Sequence, residues 1–336
     1  MQLSRAVLFC FVFTATVLPA ADSRDWPQFL FDARHSGNAA DHAVETGRLA
    51  LSASLALSDG IYTSPVVKGG NVFVVDGSGV AWCLDAKTLE LRWRFQSKGG
   101  PQNVNNVSSP VIAGEYLHFG TSSGFYYVLR VDTGAVVKEI DCREAIFSTP
   151  VAGVDRVYFA TLGSRVFSVT FEGEVKWEWD FVKEIIGFTG DRWSGEDWVK
   201  FRGDRVTWKD HFVCSRDLCL IDRTVVIPAG GRTIFLEDAG SAPVLRASGE
   251  IPNSSGSEFP ATFGQSADAA GNVYVQWHRR DNAGRVDVLR LEGDVVKSGE
   301  FVPGTDTNIR MDGLLSFAPV SIREGAVYRV KPENGR

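Results

Sequence analysis

The amino-acid sequence predicts an all-β fold in which one small sheet is repeated. Between Thr63 and Trp93, short apolar segments rich in valine and aromatic residues alternate with turns rich in Gly, Asp and Ser. Apolar runs of this length, bounded by such turns, are typical of strands joined by hairpins. Four such strands form one antiparallel sheet. A sheet of this size cannot bury both of its faces alone, so the rest of the chain must supply further sheets.

The same pattern recurs along the chain. Residues 149–177 repeat the pattern of residues 64–93, and another copy runs over residues 109–134. Each copy begins with a Ser-Pro or Thr-Pro dipeptide, and the prolines are Pro65, Pro110 and Pro150. Their spacing gives a period of about 40 to 45 residues, the range of a four-stranded propeller blade. We therefore predict an all-β propeller of about six to seven four-stranded blades.

Composition supports a large folded core and excludes one class of partner. The chain has 336 residues, of which 44% are hydrophobic and 23% are charged, which is far from a disordered composition. Its formal net charge is −6, so non-specific binding to nucleic acid has no electrostatic support. We expect no nucleic-acid partner.

The N-terminus has the pattern of a secretory signal peptide. Arg5 precedes an apolar run from Ala6 to Leu18, and Pro19-Ala20-Ala21 offers a small-residue cleavage site. The alternative is an uncleaved membrane anchor, but the run is shorter than the ~20 residues of a membrane span. We predict a signal peptide over residues 1–21, a propeller domain over residues 22–336, a secreted or periplasmic location, and no membrane span in the mature chain.

Export permits disulfides, and four cysteines follow the predicted cleavage site: Cys83, Cys142, Cys214 and Cys219. Cys214 and Cys219 are close in sequence and are a possible disulfide. Free thiols are one alternative. A zinc site is another, but it needs two more ligands and only His211 is near. Cys83 lies inside a predicted core strand, which favours a buried thiol.

The blades follow in order. Residues 48–58 lack glycine and carry four leucines, all on odd positions, which predicts one strand. We assign it closure of the ring, because closure removes exposed sheet edges. The first three blades are predicted over residues 60–97, 105–142 and 146–182. Their strands are almost continuously apolar, which fits sheets covered on both faces by neighbouring blades.

Residues 183–210 interrupt the repeat. They hold Trp193, Trp198 and Trp208 among many charged residues. One interpretation is a loop that carries a binding surface on one end of the propeller, because aromatic and charged residues together favour recognition. The other is a degenerate blade or an insertion that packs its own tryptophans.

The repeat resumes after residue 210 with two further units. Residues 318–322 and 326–330 then predict the first two strands of a sixth unit. The count is six blades, or seven if residues 183–210 hold one. The sixth unit lacks two strands, and residues 48–58 supply only one. We therefore expect a short last blade, a first segment that supplies more than one strand, or a C-terminally truncated propeller.

The sequence resembles a known family in its repeats and in two N-terminal segments, Trp26-Pro27-Gln28-Phe29 and Asp32-Ala33-Arg34-His35-Ser36-Gly37. They are similar to the PQQ-type β-propeller repeat family, over most of residues 25–182 and more faintly from residue 210 onward. That family is related to quinoprotein alcohol dehydrogenases and to the periplasmic lipoprotein of the outer-membrane β-barrel assembly machine. The resemblance implies a propeller fold, but it says little about which activity the protein has.

The resemblance also raises the question of a cofactor. Quinoprotein dehydrogenases hold pyrroloquinoline quinone (PQQ) over a pair of adjacent cysteines, with a bound calcium ion. This sequence has no Cys-Cys pair. Its five histidines show no metal-binding spacing. We therefore predict no cofactor, no metal site and no catalytic residue.

The predicted function is a secreted, non-catalytic binding or scaffold protein with a protein partner on a loop-rich face. The candidate contacts are Trp193, Trp198 and Trp208. Two alternatives stay open: a small PQQ-dependent oxidoreductase, and an outer-membrane protein assembly factor, against which the missing lipid-anchor cysteine argues. Fold alone does not decide among them, since propellers carry many activities.

Overall fold

The computed structural model describes residues 25–37, 53–99, 103, 105–206, 211–250, 262–278 and 284–300. These residues form twenty strands in five four-stranded antiparallel sheets, which confirms the predicted all-β propeller of four-stranded blades. The predicted signal peptide and the strands predicted at 318–322 and 326–330 lie outside the described residues.

Each blade is a set of four consecutive strands. Blade 1 contains β1 (Val66–Lys68), β2 (Asn71–Val75), β3 (Val80–Asp85) and β4 (Leu91–Gln96). Blade 2 contains β5 (Val111–Ala113), β6 (Tyr116–Gly120), β7 (Phe125–Arg130) and β8 (Val136–Asp141). Blade 3 contains β9 (Val151–Ala152), β10 (Val157–Ala160), β11 (Arg165–Val169) and β12 (Val175–Asp180). Blade 4 contains β13 (Cys219–Ile221), β14 (Thr224–Ala229), β15 (Arg232–Asp238) and β16 (Pro243–Glu250). Blade 5 contains β17 (Thr262–Ala267), β18 (Asn272–His278), β19 (Gly284–Glu292) and β20 (Val295–Glu300).

Within every blade the strands pair in sequence order, first with second, second with third, third with fourth. This meander gives each blade two ends. One end, which we call the first-turn end, carries the turns between first and second strands and between third and fourth strands. The other, the connection end, carries the turns between second and third strands and the connections to the next blade.

The fourth strands of blades 1 to 4 share a β-bulge. In each, the pairing register with the third strand shifts by one residue, and the extra residues are Arg92, Val137, Lys176 and Arg246. A bulge twists an edge strand and interrupts its row of free backbone groups. Because the fourth strand is the outer edge of each blade, the repeated bulge protects these edges against pairing with other chains.

The core lies between successive blades. Separate clusters of buried side chains join blades 1 and 2, blades 2 and 3, blades 3 and 4, and blades 4 and 5. In blade 2, for example, Tyr127 faces the first of these clusters and Tyr126 faces the second. Adjacent residues of one strand are therefore both buried, which explains the almost continuously apolar strands.

A buried carboxylate joins blades 3 and 4. Asp238, at the end of β15, is 1% exposed. Its carboxylate accepts hydrogen bonds from Tyr158 Oη at 2.8 Å and from Trp177 Nε1 at 3.0 Å, both in blade 3. It also accepts one from the Gly240 N–H at 2.7 Å. Burial alone would raise the pKa of Asp238, but these donors and the nearby Arg223 guanidinium hold that pKa below its ordinary value.

The strand predicted over residues 48–58 is not formed where the structure describes it. Residues 53–58 form no strand, and residues 48–52 lie outside the described residues. Leu57 packs against a buried face of blade 1, whereas Leu55 is 45% exposed. The strand prediction is therefore wrong for residues 53–58, because these residues pair with no other strand.

Residues 183–206, the described part of the predicted insertion, contain helical turns in place of strands. A π-helical turn spans Val182–Ile186, and helix α1 spans Gly195–Arg202. Neither of these helices is long and apolar enough to cross a membrane.

Candidate interaction surface

Helix α1 begins and ends at well-defined caps. The N–H of Asp197 donates to the Ser194 side chain at 3.3 Å, and Gly203 ends the helix with φ +86°. Acidic residues in the first turn and basic residues in the last turn complement the helix dipole. Ser194 followed three residues later by an acidic residue is close to a capping box, a sequence signal that predicts a helix start here.

Trp198 anchors this helix in the core. It is 1% exposed and stacks on Phe188, with ring centroids 3.9 Å apart. Its indole Nε1 donates to the Arg192 carbonyl at 2.8 Å. It packs within the cluster between blades 3 and 4. Trp198 therefore has a packing position in this structure and offers no surface to a partner.

Trp193 lies on the surface instead. It is 45% exposed, and its indole Nε1 donates to Glu144 Oε1 at 3.2 Å. One edge of the ring meets Phe212, with centroids 5.3 Å apart. The ring is thus fixed on one side and open to solvent on the other. Trp208, the third predicted contact, lies outside the described residues.

Arg192 holds Trp193 in place. Its guanidinium is 2.5 Å from Asp180 Oδ2 and 3.4 Å from Glu144 Oε1, and it donates to the Gly163 carbonyl at 2.6 Å. The arginine side chain is 14% exposed and the two carboxylates are 10% and 22% exposed, so these ion pairs are largely shielded from water. Glu144 also accepts from the Thr161 hydroxyl at 2.6 Å. We call Arg192, Asp180 and Glu144 the arginine latch.

The arginine latch fixes the insertion to one end of the propeller. Gly163 and Thr161 lie in the turn between the second and third strands of blade 3, and Glu144 lies in the connection from blade 2 to blade 3. By topology these belong to the connection end. The exposed face of Trp193 is therefore displayed at the connection end.

Further apolar side chains are exposed at the same end, on blades 1 and 2. Ile61 and Tyr62 are 52% and 57% exposed, and Val107 is 37% exposed. The Tyr62 ring lies against Gly77, where an added Cβ would meet the ring at 3.0 Å. Sequence reasoning missed this group. Its signal was two consecutive large apolar residues placed just outside the first predicted strand.

A row of three hydrogen bonds joins blades 1 to 4 just before their first strands. The N–H groups of Ser64, Ser109 and Thr149 donate to side chains of the next blade, at Ser109, Thr149 and Asp217 respectively, over 2.9, 3.2 and 2.8 Å. Three of these positions are the Ser or Thr residues before the repeated prolines. The repeat signature thus has a packing role, because it satisfies backbone donors that face the neighbouring blade.

Of the alternatives for Cys214 and Cys219, the structure has free thiols and no disulfide. Cys214 and Cys219 are both free and fully buried. Cys214 packs in the cluster between blades 3 and 4, and Cys219 packs in the cluster between blades 4 and 5. The two side chains enter different clusters, since Cys219 begins strand β13 while Cys214 precedes it. Among the residues that the structure describes, no group of three or more His, Cys, Asp and Glu side chains is placed to hold a metal ion.

Comparison with known proteins places the chain in a family. The family profile described as "Outer membrane protein assembly factor BamB" matches residues 30–201. A curated relative, the outer membrane protein assembly factor BamB of Moranella endobia (strain PCIT), is 23% identical over 141 residues, which are 42% of this chain and 34% of the relative. This chain therefore matches about a third of the length of that relative.

Two solved structures share the fold. BamB from Moraxella catarrhalis aligns with a TM-score of 0.50 and 14% identity, over 73% of this chain and 65% of that chain. Quinohemoprotein alcohol dehydrogenase from Comamonas testosteroni aligns with a TM-score of 0.56 and 14% identity, over 83% of this chain and 49% of that chain. At such low identities the alignments show the common fold alone. The repeat signature, the five four-stranded blades and a family match over more than half of the 336 residues together show that the chain belongs to the PQQ-like β-propeller repeat family typified by the assembly factor BamB.

Proposed function

We propose that this protein is a non-catalytic, exported propeller that binds a protein partner through its connection end and serves as a scaffold in outer-membrane protein assembly. The family match supports the assembly role, and the predicted signal peptide supports export. The observation that carries the binding role is Trp193, because a large aromatic side chain stays 45% exposed while an ion-pair network fixes its position. Exposed, pre-ordered aromatic residues are typical of protein-binding hot spots.

The surface has the composition of a transient protein interface. Trp193 on the insertion, and Ile61, Tyr62 and Val107 near blades 1 and 2, supply apolar contacts at one end of the propeller. Charged residues of helix α1, among them Glu196 and Lys200, are exposed next to Trp193 along the chain. Apolar anchors among polar neighbours are the usual pattern of such interfaces.

Two observations favour this role over quinone-dependent oxidation. The sequence lacks the adjacent cysteine pair on which quinoprotein dehydrogenases hold their quinone. In the described part of the chain, no cluster of acidic, cysteine or histidine side chains is arranged for a metal ion. The missing cysteine pair and the arrangement of the described residues therefore support a binding role over one that requires PQQ with calcium.

Site-specific photo-crosslinking tests the proposed surface. A photo-reactive phenylalanine analogue at position 193 should capture a partner in the native cell envelope. The matched control position is Val154, which is 93% exposed in the turn between β9 and β10, at the first-turn end. We expect an adduct from position 193 and none from position 154. Equal adducts from both positions, or none from either, would contradict a specific binding face at the connection end.

A thermal-shift assay tests the enzymatic alternative. A ligand present at 100 times its Kd stabilises the folded state by about 2.7 kcal/mol, which a melting curve detects. We expect no change in Tm when PQQ and calcium are added to the full chain. A calcium-dependent rise in Tm would contradict the non-catalytic proposal.

A further inference from the structure

The N-terminal segment of residues 25–37 touches the first strand of every described blade. Trp26 exchanges two backbone hydrogen bonds of 2.8 Å with Val67 in β1. The remaining contacts are donated by backbone N–H groups of the other four blades: Ile112 to the Pro27 carbonyl at 2.7 Å, Ala152 to Gln28 Oε1 at 3.1 Å, Leu220 to the Ala33 carbonyl at 2.7 Å, and Ala267 to the Arg34 carbonyl at 2.8 Å. A segment of thirteen residues therefore reaches all five blades.

The five contacted positions are equivalent. Val67, Ile112, Ala152, Leu220 and Ala267 pair with the equivalent position of the second strand in their own blades. Their hydrogen bonds to residues 25–37 lie on the edge of the first strand that faces away from the second strand. Each blade thus has one N–H on this edge, at the equivalent position of its first strand. A buried N–H requires an acceptor, and residues 25–37 supply one for each blade.

The segment is braced internally by Asp32. Its carboxylate accepts hydrogen bonds from the N–H of Arg34 at 2.9 Å, from the N–H of Ser36 at 3.1 Å and from the Ser36 hydroxyl at 2.6 Å. His35, which is 2% exposed, is within 3.1 Å of the Gln265 carbonyl through Nδ1. The Asp-x-x-His-Ser-Gly motif therefore shapes the part of the segment that meets blades 4 and 5.

The backbone of the segment is strained. Leu30 and Phe31, between the contacts to blade 3 and blade 4, have φ values of +51° and +80°. Residues other than glycine adopt this left-handed region only when the surrounding contacts enforce it. The contacts to blades 1 to 3 on one side and blades 4 and 5 on the other fix both ends of this turn.

We propose that residues 25–37 are an axial strap that couples all five blades into one cooperative unit. In repeat proteins each unit contacts its neighbours alone, so a local perturbation spreads mainly to the adjacent units. The strap adds a direct link between blades that are not adjacent, such as blade 1 and blade 3, which are separated by blade 2. Loss of the strap at one point therefore loosens the first strands of all five described blades.

Hydrogen exchange of the full chain, measured by mass spectrometry, tests the proposal. The variant Asp32→Ala removes the brace while leaving every blade sequence intact. We expect exchange in the first strands of all five blades to accelerate together, by about tenfold, since these amides open when the strap detaches. The control Asp132→Ala removes an exposed carboxylate from a turn of blade 2 and should leave these rates unchanged.

A purely local role gives a different result. If Asp32 fixes one turn and nothing more, exchange should accelerate in residues 25–37 and in the adjoining strands of blades 4 and 5, with blades 1 and 2 unchanged. That outcome would overturn the proposal. Should Asp32→Ala fail to fold, Ser36→Ala removes a single 2.6 Å hydrogen bond to the same carboxylate and gives a milder form of the same test.

Discussion

Replacement of Asp238 by alanine should destabilise the interface between blades 3 and 4. The substitution removes the acceptor for Tyr158 Oη, Trp177 Nε1 and the Gly240 N–H, at 2.8, 3.0 and 2.7 Å. These donors are then left without a partner, since Asp238 is 1% exposed and water has little access. Each buried donor without an acceptor costs about 1–3 kcal/mol, and the effects of neighbours are not additive.

We expect a loss of about 4 kcal/mol in the free energy of unfolding for Asp238→Ala. Asp238→Asn should lose about half as much, because the amide keeps one acceptor oxygen while its NH2 group can donate to the Tyr158 hydroxyl. For a domain of this size these losses correspond to roughly 8 °C and 4 °C in Tm. Circular dichroism melting at pH 7 measures both. Asp132→Ala, in an exposed ion pair, should change Tm by about 1 °C or less.

The stability that Asp238 contributes should decrease as the pH falls. The pKa of Asp238 is lowered in the folded protein, so its carboxylate stabilises the fold at pH values above the ordinary 3.8. This stabilisation disappears as the pH falls below 3.8 and the folded carboxyl takes up its proton. The Tm difference between the wild type and Asp238→Asn should therefore be constant near neutral pH and shrink under acidic conditions. A difference that is absent at pH 7, or that grows toward low pH, would refute the reasoning.

Three further predictions concern packing, the arginine latch and the thiols. Gly134→Ala should lower Tm by several degrees, because Gly134 has φ +71° and a new Cβ would lie 2.6 Å from an indole ring, whereas Gly69→Ala, with no atom within 4 Å, should cost less. Arg192→Ala should expose the insertion to limited proteolysis, since it leaves two shielded carboxylates unpaired, and Arg192→Lys should restore partial protection. Cys214 and Cys219 should resist a thiol reagent in the folded protein, because burial raises the pKa of both thiols, that of Cys214 to about 12, and both should react without prior reduction once the chain is unfolded.

The blades could be predicted from sequence because the repeat itself carries the information. Turn residues at a fixed spacing and apolar strands recur around Pro65, Pro110 and Pro150, and each copy folds into the same hairpins. Sequence similarity between copies does not fix their contacts, however. Asp85 and Asp238 occupy corresponding turns, yet Asp85 bonds within its own hairpin while Asp238 accepts from the preceding blade.

The insertion shows where residue type stops being informative. Trp193 and Trp198 are five positions apart, and sequence alone gave both the same role as candidate contacts. Helix α1 and its cap at Ser194 turn Trp198 into the core and leave Trp193 outside. The helix could have been predicted from the Ser194 cap. The direction of each indole depends on rings from outside the helix, since Trp198 packs on Phe188 and Phe212, and Trp193 packs on Phe212.

The axial strap escaped prediction for a related physical reason. Its hydrogen bonds join residues far apart in sequence, such as Arg34 and Ala267, through backbone groups that any residue carries. The sequence repeat predicts how the strands of one blade pair with each other. It does not predict a segment that contacts every blade once. The sequence shows the motif around Asp32 and His35 but does not show what it does. Its role follows from the structure, in which equivalent N–H groups of five blades donate to residues 25–37. A repeat protein held together in this way departs from independent neighbouring units, and its cooperativity depends on thirteen residues that lie outside the repeats.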